Sequence, residues 1–432
     1  MRRLLIVAFF FPPINVVGSV RPAKFAKFLP EFGWEPTVLT IDSFSTRPAT
    51  MPLEMRAANI SRVVYRDPVA FFIHRLRHPA REGTGEGRGT ADAKTRLYSI
   101  ARKIFDINVV RMPDRALPWY LPAVRHGSQL LAQQHFDIIL SSSPPPTVNL
   151  IASTLARRAR VPWVADMRDL WTMNHSFHRS QPWQALEENL ERRTLKQASH
   201  LLTVSPVLAE KLRTFHGKPS DTITNGFDPD LELPAATLAS KLTITYTGSL
   251  YTGKQDPSPL FEALRMLREQ NKLMPGDLEV NFWGSDLGEL NNLIERHRVG
   301  DWVHCCGSVP YMESLHRQRE SAALLFLDWN DPLEPGVYSL KLMEYLGARR
   351  PILAIGSQPV SIANELLTCC RVGRVLSTAE QIQSQLSIWL DEFRRNGTLT
   401  YQGDPAEIQE YSYRTLTGRL AQLLDRVVEN KP

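Results

Sequence analysis

The chain has 432 residues, 22% of them charged and 43% hydrophobic, with a net charge of +6 at pH 7. That length holds two domains of ordinary size, each able to bury its own core, and the balance excludes a disordered chain. The small basic excess admits an acidic partner, whether nucleotide, polyanion or membrane surface, and selects none of them.

The four cysteines fall as two adjacent pairs, Cys305-Cys306 and Cys369-Cys370. Without a C-x-x-C spacing they argue against zinc and against a disulfide scaffold, and a reduced cytoplasm is the simplest compartment. Met1-Arg2-Arg3 followed by LLIVAFFF has the basic start and apolar core of a signal peptide. The run stops at Pro12-Pro13, no small-residue cleavage site follows, and a patterned helix comes next. Residues 4–10 therefore read as a buried parallel strand, apolar on both faces. No apolar run reaches the roughly 18 residues that would mark a membrane-spanning helix.

The loop FPPINVVGS, a helix over about 22–32 and the strand EPTVLT complete one βαβ unit, which opens a doubly wound domain. Such sheets bind ligands at the carboxyl ends of their strands, so Gly18 is a candidate for close backbone approach; a plain turn is the alternative. Beyond it, REGTGEGRGTADAK is glycine-rich and lacks hydrophobes. Arg75, Arg77, Arg102 and Lys103 lie around it with Phe71, Phe72, Leu97 and Ile104. A basic insertion around 75–105 suits an anionic membrane surface, and a solvated face with a mobile loop fits equally.

FDIILSSSPPP is a further strand and loop, and the helix after it begins near Thr147. VPWVADMRDLW repeats the pattern, which puts Asp166, Arg168, Asp169 and Trp171 at a strand's carboxyl end, with His175 in the loop beyond. Asp166, Asp169 or His175 could orient an acceptor hydroxyl or take its proton; an Arg168–Asp169 ion pair holding the loop is the alternative. HLLTVSPVLAEKL is strand then helix with Ser205 at the N-cap. The polar, proline-bearing stretch 228–240 reads as the linker between a domain at 1–227 and a second at 241–400, with a closing helix in 401–432.

The second domain opens with the strand LTITYTG and the loop GSLYTGKQ. Gly248, Gly253 and Lys254 have P-loop spacing, but Gln255 stands where Ser or Thr would hold magnesium, which makes a triphosphatase the lesser reading. As a loop facing a diphosphate it fits better, with Lys254 the nearest cation. LEVNFWG and WVHCCGSVP are two more strands, and AALLFLDW leads toward GVYSLKLMEYLGARRP. That last stretch reads as a short loop, Gly336 to Ser339, opening a helix. A helix start presents unpaired N–H groups and the positive end of the dipole, which suits a phosphate. Lys341 in the first turn adds a cation, and Glu344, three residues on, can accept from a ribose diol. A solvated Lys/Glu pair at this spacing is the plain alternative.

These residues resemble a known family. GVYSLKLMEYLGARRP is similar to the "K-x-x-E-Y-L-A-x-G-x-P" donor helix of GT-B glycosyltransferases of family 4. Asp166, Arg168, Asp169 and Trp171 match its "D-x-R-D-x-W" element, and NGFDP at 225–229 its entry to the second domain. The resemblance implies an α/β GT-B fold, two Rossmann-like doubly wound domains facing a central cleft, with the last helix packed back on the first. It implies transfer of a sugar from a nucleoside-diphosphate sugar to an acceptor hydroxyl, of the retaining type, with no metal and no further cofactor. Glu344 would bind the ribose, while Gly336, Ser339, Leu340, Lys341, Ser249 and Lys254 would meet the diphosphate. Gly307 and Val309 would pack on the base and Gly18 would face the donor from the first domain, with Lys254, Asp166, Asp169 and His175 as the catalytic candidates. The acceptor would be a glycan or a lipid-linked glycan of polysaccharide or cell-envelope synthesis, reached at the inner face of the plasma membrane, and no nucleic acid is implied. The chain departs from the family at Val17-Gly18, where two glycines are usual, at Ser249 in place of an arginine, and at Gly336 in place of a glutamate. Glu334 lies two residues before that last position. A sugar-nucleotide 2-epimerase of the same fold, and a non-catalytic protein that only binds sugar nucleotides, remain as the other readings.

Overall fold

The computed structural model describes residues 1–43, 49–55, 59–66, 112–174, 180–234, 240–285, 287–329, 339–356 and 361–430. The basic insertion expected around 75–105, His175, Glu334 and Gly336 lie outside the described residues. The chain forms two compact units, Met1–Ile223 with Thr417–Pro432, and Thr224–Leu416.

The first unit is built on a parallel sheet of seven described strands, ordered β3-β2-β1-β4-β5-β6-β7. These are β1 (Arg2–Ala8), β2 (Trp34–Ile41), β3 (Ile60–Val63), β4 (Ile138–Ser143), β5 (Trp163–Met167), β6 (His200–Thr203) and β7 (Ser220–Thr222). Leu4, Leu5, Ile6 and Val7 are fully buried, as a strand covered on both faces requires. The first helix runs from Val17 to Phe28 and passes into a 3-10 turn at Leu29–Phe32. It thus starts five residues before Pro22, where the sequence had placed its beginning. Ser205 caps the helix Pro206–His216 by accepting from the Leu208 amide.

The second unit repeats the plan with six described strands in the order β10-β9-β8-β11-β12-β13. They are β8 (Leu242–Thr247), β9 (Leu278–Trp283), β10 (Val303–Gly307), β11 (Ala323–Leu327), β12 (Ile352–Ile355) and β13 (Gly373–Leu376). Both strand orders turn back on themselves beside the first strand of the sheet, between β1 and β4 and between β8 and β11. That switch point is where open parallel sheets leave a crevice for a ligand.

The second unit begins ahead of the expected linker at 228–240 because Phe227 is built into it. The Phe227 amide donates to the Tyr411 carbonyl (3.1 Å), and its own carbonyl accepts from the Tyr413 amide (2.8 Å). Its side chain packs so closely on Gly347 that a Cβ there would lie 2.9 Å from the Phe227 Cβ and 3.1 Å from its ring. The chain rejoins the first unit at Thr417, inside the last helix Tyr413–Glu429. Arg2 on β1 holds the end of that helix through Asp425 (2.6 Å) and Glu429 (3.0 Å).

One buried ion pair joins the first helix to β5. Arg21 donates from Nε and Nη2 to the two oxygens of Asp166, at 2.9 and 3.0 Å, with side chains 1% and 0% exposed. Removing one partner strands the other charge without water, a loss of about 3–5 kcal/mol. Arg21→Met is therefore expected to lower the unfolding free energy by about that amount in urea titrations. Pairing it with Asp166→Leu should recover most of the loss. A cost under about 1 kcal/mol for the single substitution would show that the pair does not hold the helix.

Candidate functional site

At the switch point of the second sheet, the carboxyl ends of β8, β9 and β10 are brought together by glycines. Gly248 has φ +110°, a conformation side chains rarely adopt, and its amide donates to the Trp283 carbonyl at 2.7 Å. A Cβ on Gly284 would lie 2.3 Å from the Gly248 carbonyl oxygen. The Gly284 amide in turn donates to the Gly307 carbonyl at 2.8 Å. Gly307 is thereby brought to the same edge as Gly248. Val309 follows it, half-buried, just before the helix Tyr311–Glu320.

The loop after Gly248 is set by Tyr246 and Gln255. The buried Tyr246 hydroxyl donates to the Ser249 carbonyl (2.7 Å) and to Gln255 Oε1 (3.3 Å). Gln255 Nε2 donates to the Leu327 carbonyl on β11 (2.8 Å). Gln255 is thus the loop's anchor, a role its mismatch to a P-loop concealed. The next helix starts only at Ser258, so Lys254 is not at a helix N-terminus, as a P-loop lysine would be. Its ammonium lies 4.7 Å from the centre of the Trp329 ring, and Tyr251 meets that ring edge-on at 5.2 Å. Ser249 contributes its backbone carbonyl to this arrangement.

The helix Leu340–Ala348 buries Leu342, Met343, Tyr345 and Leu346 and leaves Lys341 and Glu344 half-buried. Ser339 is its N-cap residue by backbone conformation, its carbonyl accepting from the Leu342 amide at 3.1 Å. Leu340 opens the first turn, whose N–H groups have no carbonyl within the helix to reach. Tyr345 ties the helix to β8: its hydroxyl accepts from the Thr247 amide at 3.1 Å. Lys341 extends over the Tyr246 ring, Nζ 3.5 Å from its centre, and its Cε would lie 3.1 Å from a Cβ on Gly248. Glu344 receives the Tyr311 hydroxyl and a long contact of 3.5 Å from Gln318 Nε2. Gln318 also donates to Thr247 Oγ1 at 3.0 Å.

Crowding dominates the charges here. Burial pushes the Lys341 ammonium down to about 7, against the attraction of Glu344. Burial pushes the Glu344 carboxyl up to about 7, against its bonds from Tyr311 and Gln318 and the charge of Lys341. Burial likewise raises the Tyr246 and Tyr345 phenols well beyond their ordinary range, so both remain neutral donors or acceptors. The helix therefore presents a cation and a carboxylate whose charges are held only weakly until something compensates them.

In the first unit the predicted residues separate. Asp166 is not available to an acceptor: Arg21 takes both its oxygens and Ser142 donates to one at 3.1 Å, all away from solvent. Asp169 is exposed at the end of β5. Arg168 donates to the carbonyls of Ser143 (3.1 Å), Pro144 (3.0 Å) and Gly18 (2.8 Å). The bond to Gly18 has a cause in the sequence. Pro22 has no N–H to give to the carbonyl four residues earlier, and Arg168 supplies that bond instead. Gly18 leaves room for this guanidinium: a Cβ there would lie 3.3 Å from Arg168 Nη1 and 3.2 Å from the Phe10 ring. Arg168 and Phe10 thus line the space that Gly18 leaves open.

Sequence reasoning passed over Tyr246, Gly284, Tyr311 and Gln318. Tyr246 sits in an apolar strand and reads as core, and the others converge only through the fold. Among the described residues no group of three or more His, Cys, Asp and Glu side chains is placed to hold a metal ion. No described helix is long and apolar enough to cross a membrane.

Residues 19–226 match the family described as Glycosyl transferase 4-like domain. No curated protein matches the sequence. Solved structures match the fold over nearly the whole chain. The Anabaena Alr3699/HepE structure with UDP and glucose has a TM-score of 0.60 at 12% identity, covering 99% of this chain and 100% of that one. Sucrose-phosphate synthase from Thermosynechococcus elongatus has 0.60 at 14% identity, covering 99% and 100%. A glycosyltransferase from Rickettsia africae has 0.59 at 11% identity, covering 100% and 99%. These likenesses establish the GT-B fold, two Rossmann-like units each on its own parallel sheet.

The glycine contacts predict a contrast between two alanine substitutions. Gly284→Ala pushes a methyl against the Gly248 backbone, so β8 and β9 must part, and a loss of about 1–3 kcal/mol is expected from overpacking. Gly253 (φ +79°) has open space around its Cβ position, so Gly253→Ala should cost about 1–2 kcal/mol in backbone strain and leave the Gly248 turn intact. Thermal unfolding and amide exchange at Gly248 check this. Faster exchange in Gly253→Ala than in Gly284→Ala would contradict the close approach.

Proposed function

We propose that this chain, with a GT-B fold and a match to the Glycosyl transferase 4-like domain over residues 19–226, is a glycosyltransferase that moves a sugar from a nucleoside-diphosphate sugar to an acceptor hydroxyl with retention of configuration. The observation that carries the donor reading is the convergence of Lys341, Glu344 and the Gly248 backbone at the switch point of the second sheet. A departing diphosphate needs charge compensation that strengthens as its bond to the sugar breaks. Lys341, the Ser249 amide and the amides at the start of the Leu340–Ala348 helix supply it, with Lys254 as the second cation. Glu344 accepts from the ribose hydroxyls, and Gly307 and Val309 line the place of the base. The cations on hand make a metal unnecessary in this scheme.

Asp169 and His175 are the acceptor-side groups of the proposal, to orient the hydroxyl and receive its proton. A glycan or lipid-linked glycan of polysaccharide or cell-envelope synthesis is the proposed acceptor, and the basic insertion around 75–105 its contact with an anionic membrane surface at the cytoplasmic side. Two of the similar structures were solved with UDP or with UDP-glucose, which makes UDP-sugars the first donors to test.

Glu344→Ala is expected to lose most of the thermal stabilisation that a UDP-sugar gives the wild type, and at least ten-fold in kcat/KM for transfer. An unchanged shift would remove Glu344 from the donor site. Donor affinity should also depend on pH in both directions. Lys341 must be protonated to meet the diphosphate, and its lowered pKa means that charge fades as pH rises through neutrality. Glu344 must be ionised, and its raised pKa means that charge fades as pH falls through neutrality. Tyr246 and Tyr345, which also face the pair, stay neutral throughout. UDP-glucose, whose diphosphate is fully ionised over this range, should therefore bind best near neutral pH. Lys341→Met should abolish the alkaline fall while leaving the acid one, as calorimetry at several pH values would show.

A further inference from the structure

We infer that Tyr246 is a positioning residue of the donor site: its ring seats the Lys341 side chain against Gly248 while its hydroxyl fixes the Ser249 carbonyl of the same loop. The inference rests on the donor reading above and goes beyond it, since Tyr246 touches no part of the proposed donor.

A lysine carries its charge on a long, flexible stem, and fixing that stem is a cost that binding must otherwise bear. Here the stem is already placed. Nζ lies 3.5 Å from the centre of the Tyr246 ring, on the electron-rich face that attracts ammonium. Phe282 packs against the same ring at 5.3 Å between centres and restrains it.

The same side chain holds the loop. Its hydroxyl donates to the Ser249 carbonyl at 2.7 Å, which fixes the turn directly after Gly248. It also donates to Gln255 Oε1, and Gln255 is bonded to β11 at Leu327 and to the Tyr251 amide. Tyr246 stands on β8 with no exposed surface, so cation and loop take their positions from one rigid strand. Charge and amides that must meet one diphosphate are thus set by a single ring. Among the described residues, the titratable groups that face Lys341 are Tyr246 from β8 and Glu344 from its own helix; Tyr345 lies beside Glu344, and Tyr311 reaches Glu344 from the neighbouring helix.

A tyrosine that merely fills the core would affect stability alone. The test compares Tyr246→Phe, which keeps the ring and loses the hydroxyl, with Tyr246→Met, which fills much of the volume without a ring face. UDP-glucose affinity is measured by calorimetry across pH for both variants and the wild type. Tyr246→Phe should bind three- to ten-fold more weakly, with the alkaline fall at the wild-type pH, because the seat remains. Tyr246→Met should lose at least ten-fold, with the alkaline fall moved to higher pH as water reaches the freed ammonium. A folded Tyr246→Met with wild-type affinity and profile overturns the inference. Should that variant not fold, Tyr246→Phe decides: unchanged affinity would mean the hydroxyl holds nothing the donor needs, and overturns it. A wild-type protein that binds no nucleoside-diphosphate sugar overturns the donor reading and this inference with it, an outcome distinct from both.

Discussion

The close approach of the helix Leu340–Ala348 to the end of β8 is the constraint on which the second unit's site depends. Tyr345 is fully buried, and its hydroxyl takes the Thr247 amide at the last residue of the strand. That bond fixes the helix at a height where Lys341 overhangs Gly248, whose φ of +110° favours a glycine and where a Cβ would crowd Lys341 Cε at 3.1 Å. Gly284 has to be a glycine for a related reason, because the Gly248 carbonyl occupies the place of its Cβ. Strand end, loop and helix start are thus locked by backbone contact, which holds a site more accurately than side chains can.

The two units treat charge in opposite ways. In the first, Arg21 and Asp166 satisfy each other completely, and Arg168 spends its donors on backbone carbonyls. These bonds hold the loops at the carboxyl ends of β1, β4 and β5. In the second unit, Lys341 and Lys254 rest on aromatic faces, and Glu344 accepts from Tyr311 with a long contact from Gln318. An aromatic face attracts a cation more weakly than a carboxylate or phosphate does. A diphosphate can therefore draw Lys341 from the Tyr246 face.

Much of this was legible in the sequence. Apolar runs marked the central strands of both sheets, whose burial on both faces demands such a composition, while the short strands β3, β7 and β13 carry no such run. Lys341 and Glu344 stood out for their place at a helix start, which depends only on local order. What stayed hidden was partnership. Asp166 and Arg168 look alike as polar residues at a strand's end, and only Arg21, 145 residues away, distinguishes the buried charge from the loop clasp. Gly18 looked like a gap for a ligand because the sequence does not reveal that Pro22 leaves its carbonyl to Arg168. Gln255 looked like a failed magnesium ligand until its bonds to Tyr246 and Leu327 showed what it anchors. The pattern fixes which residues share an edge, and long-range contacts decide which of them are free to act.

The central claim is that the donor's diphosphate lies between the Gly248–Ser249 backbone and Lys341, with the ribose on Glu344. A crystal structure of the protein with UDP would test it most directly. The account predicts phosphate oxygens within hydrogen-bonding distance of Lys341 Nζ and of the amides after Gly248, and a ribose hydroxyl on a Glu344 oxygen. UDP bound with its phosphates away from Lys341, or with its ribose away from Glu344, would contradict it.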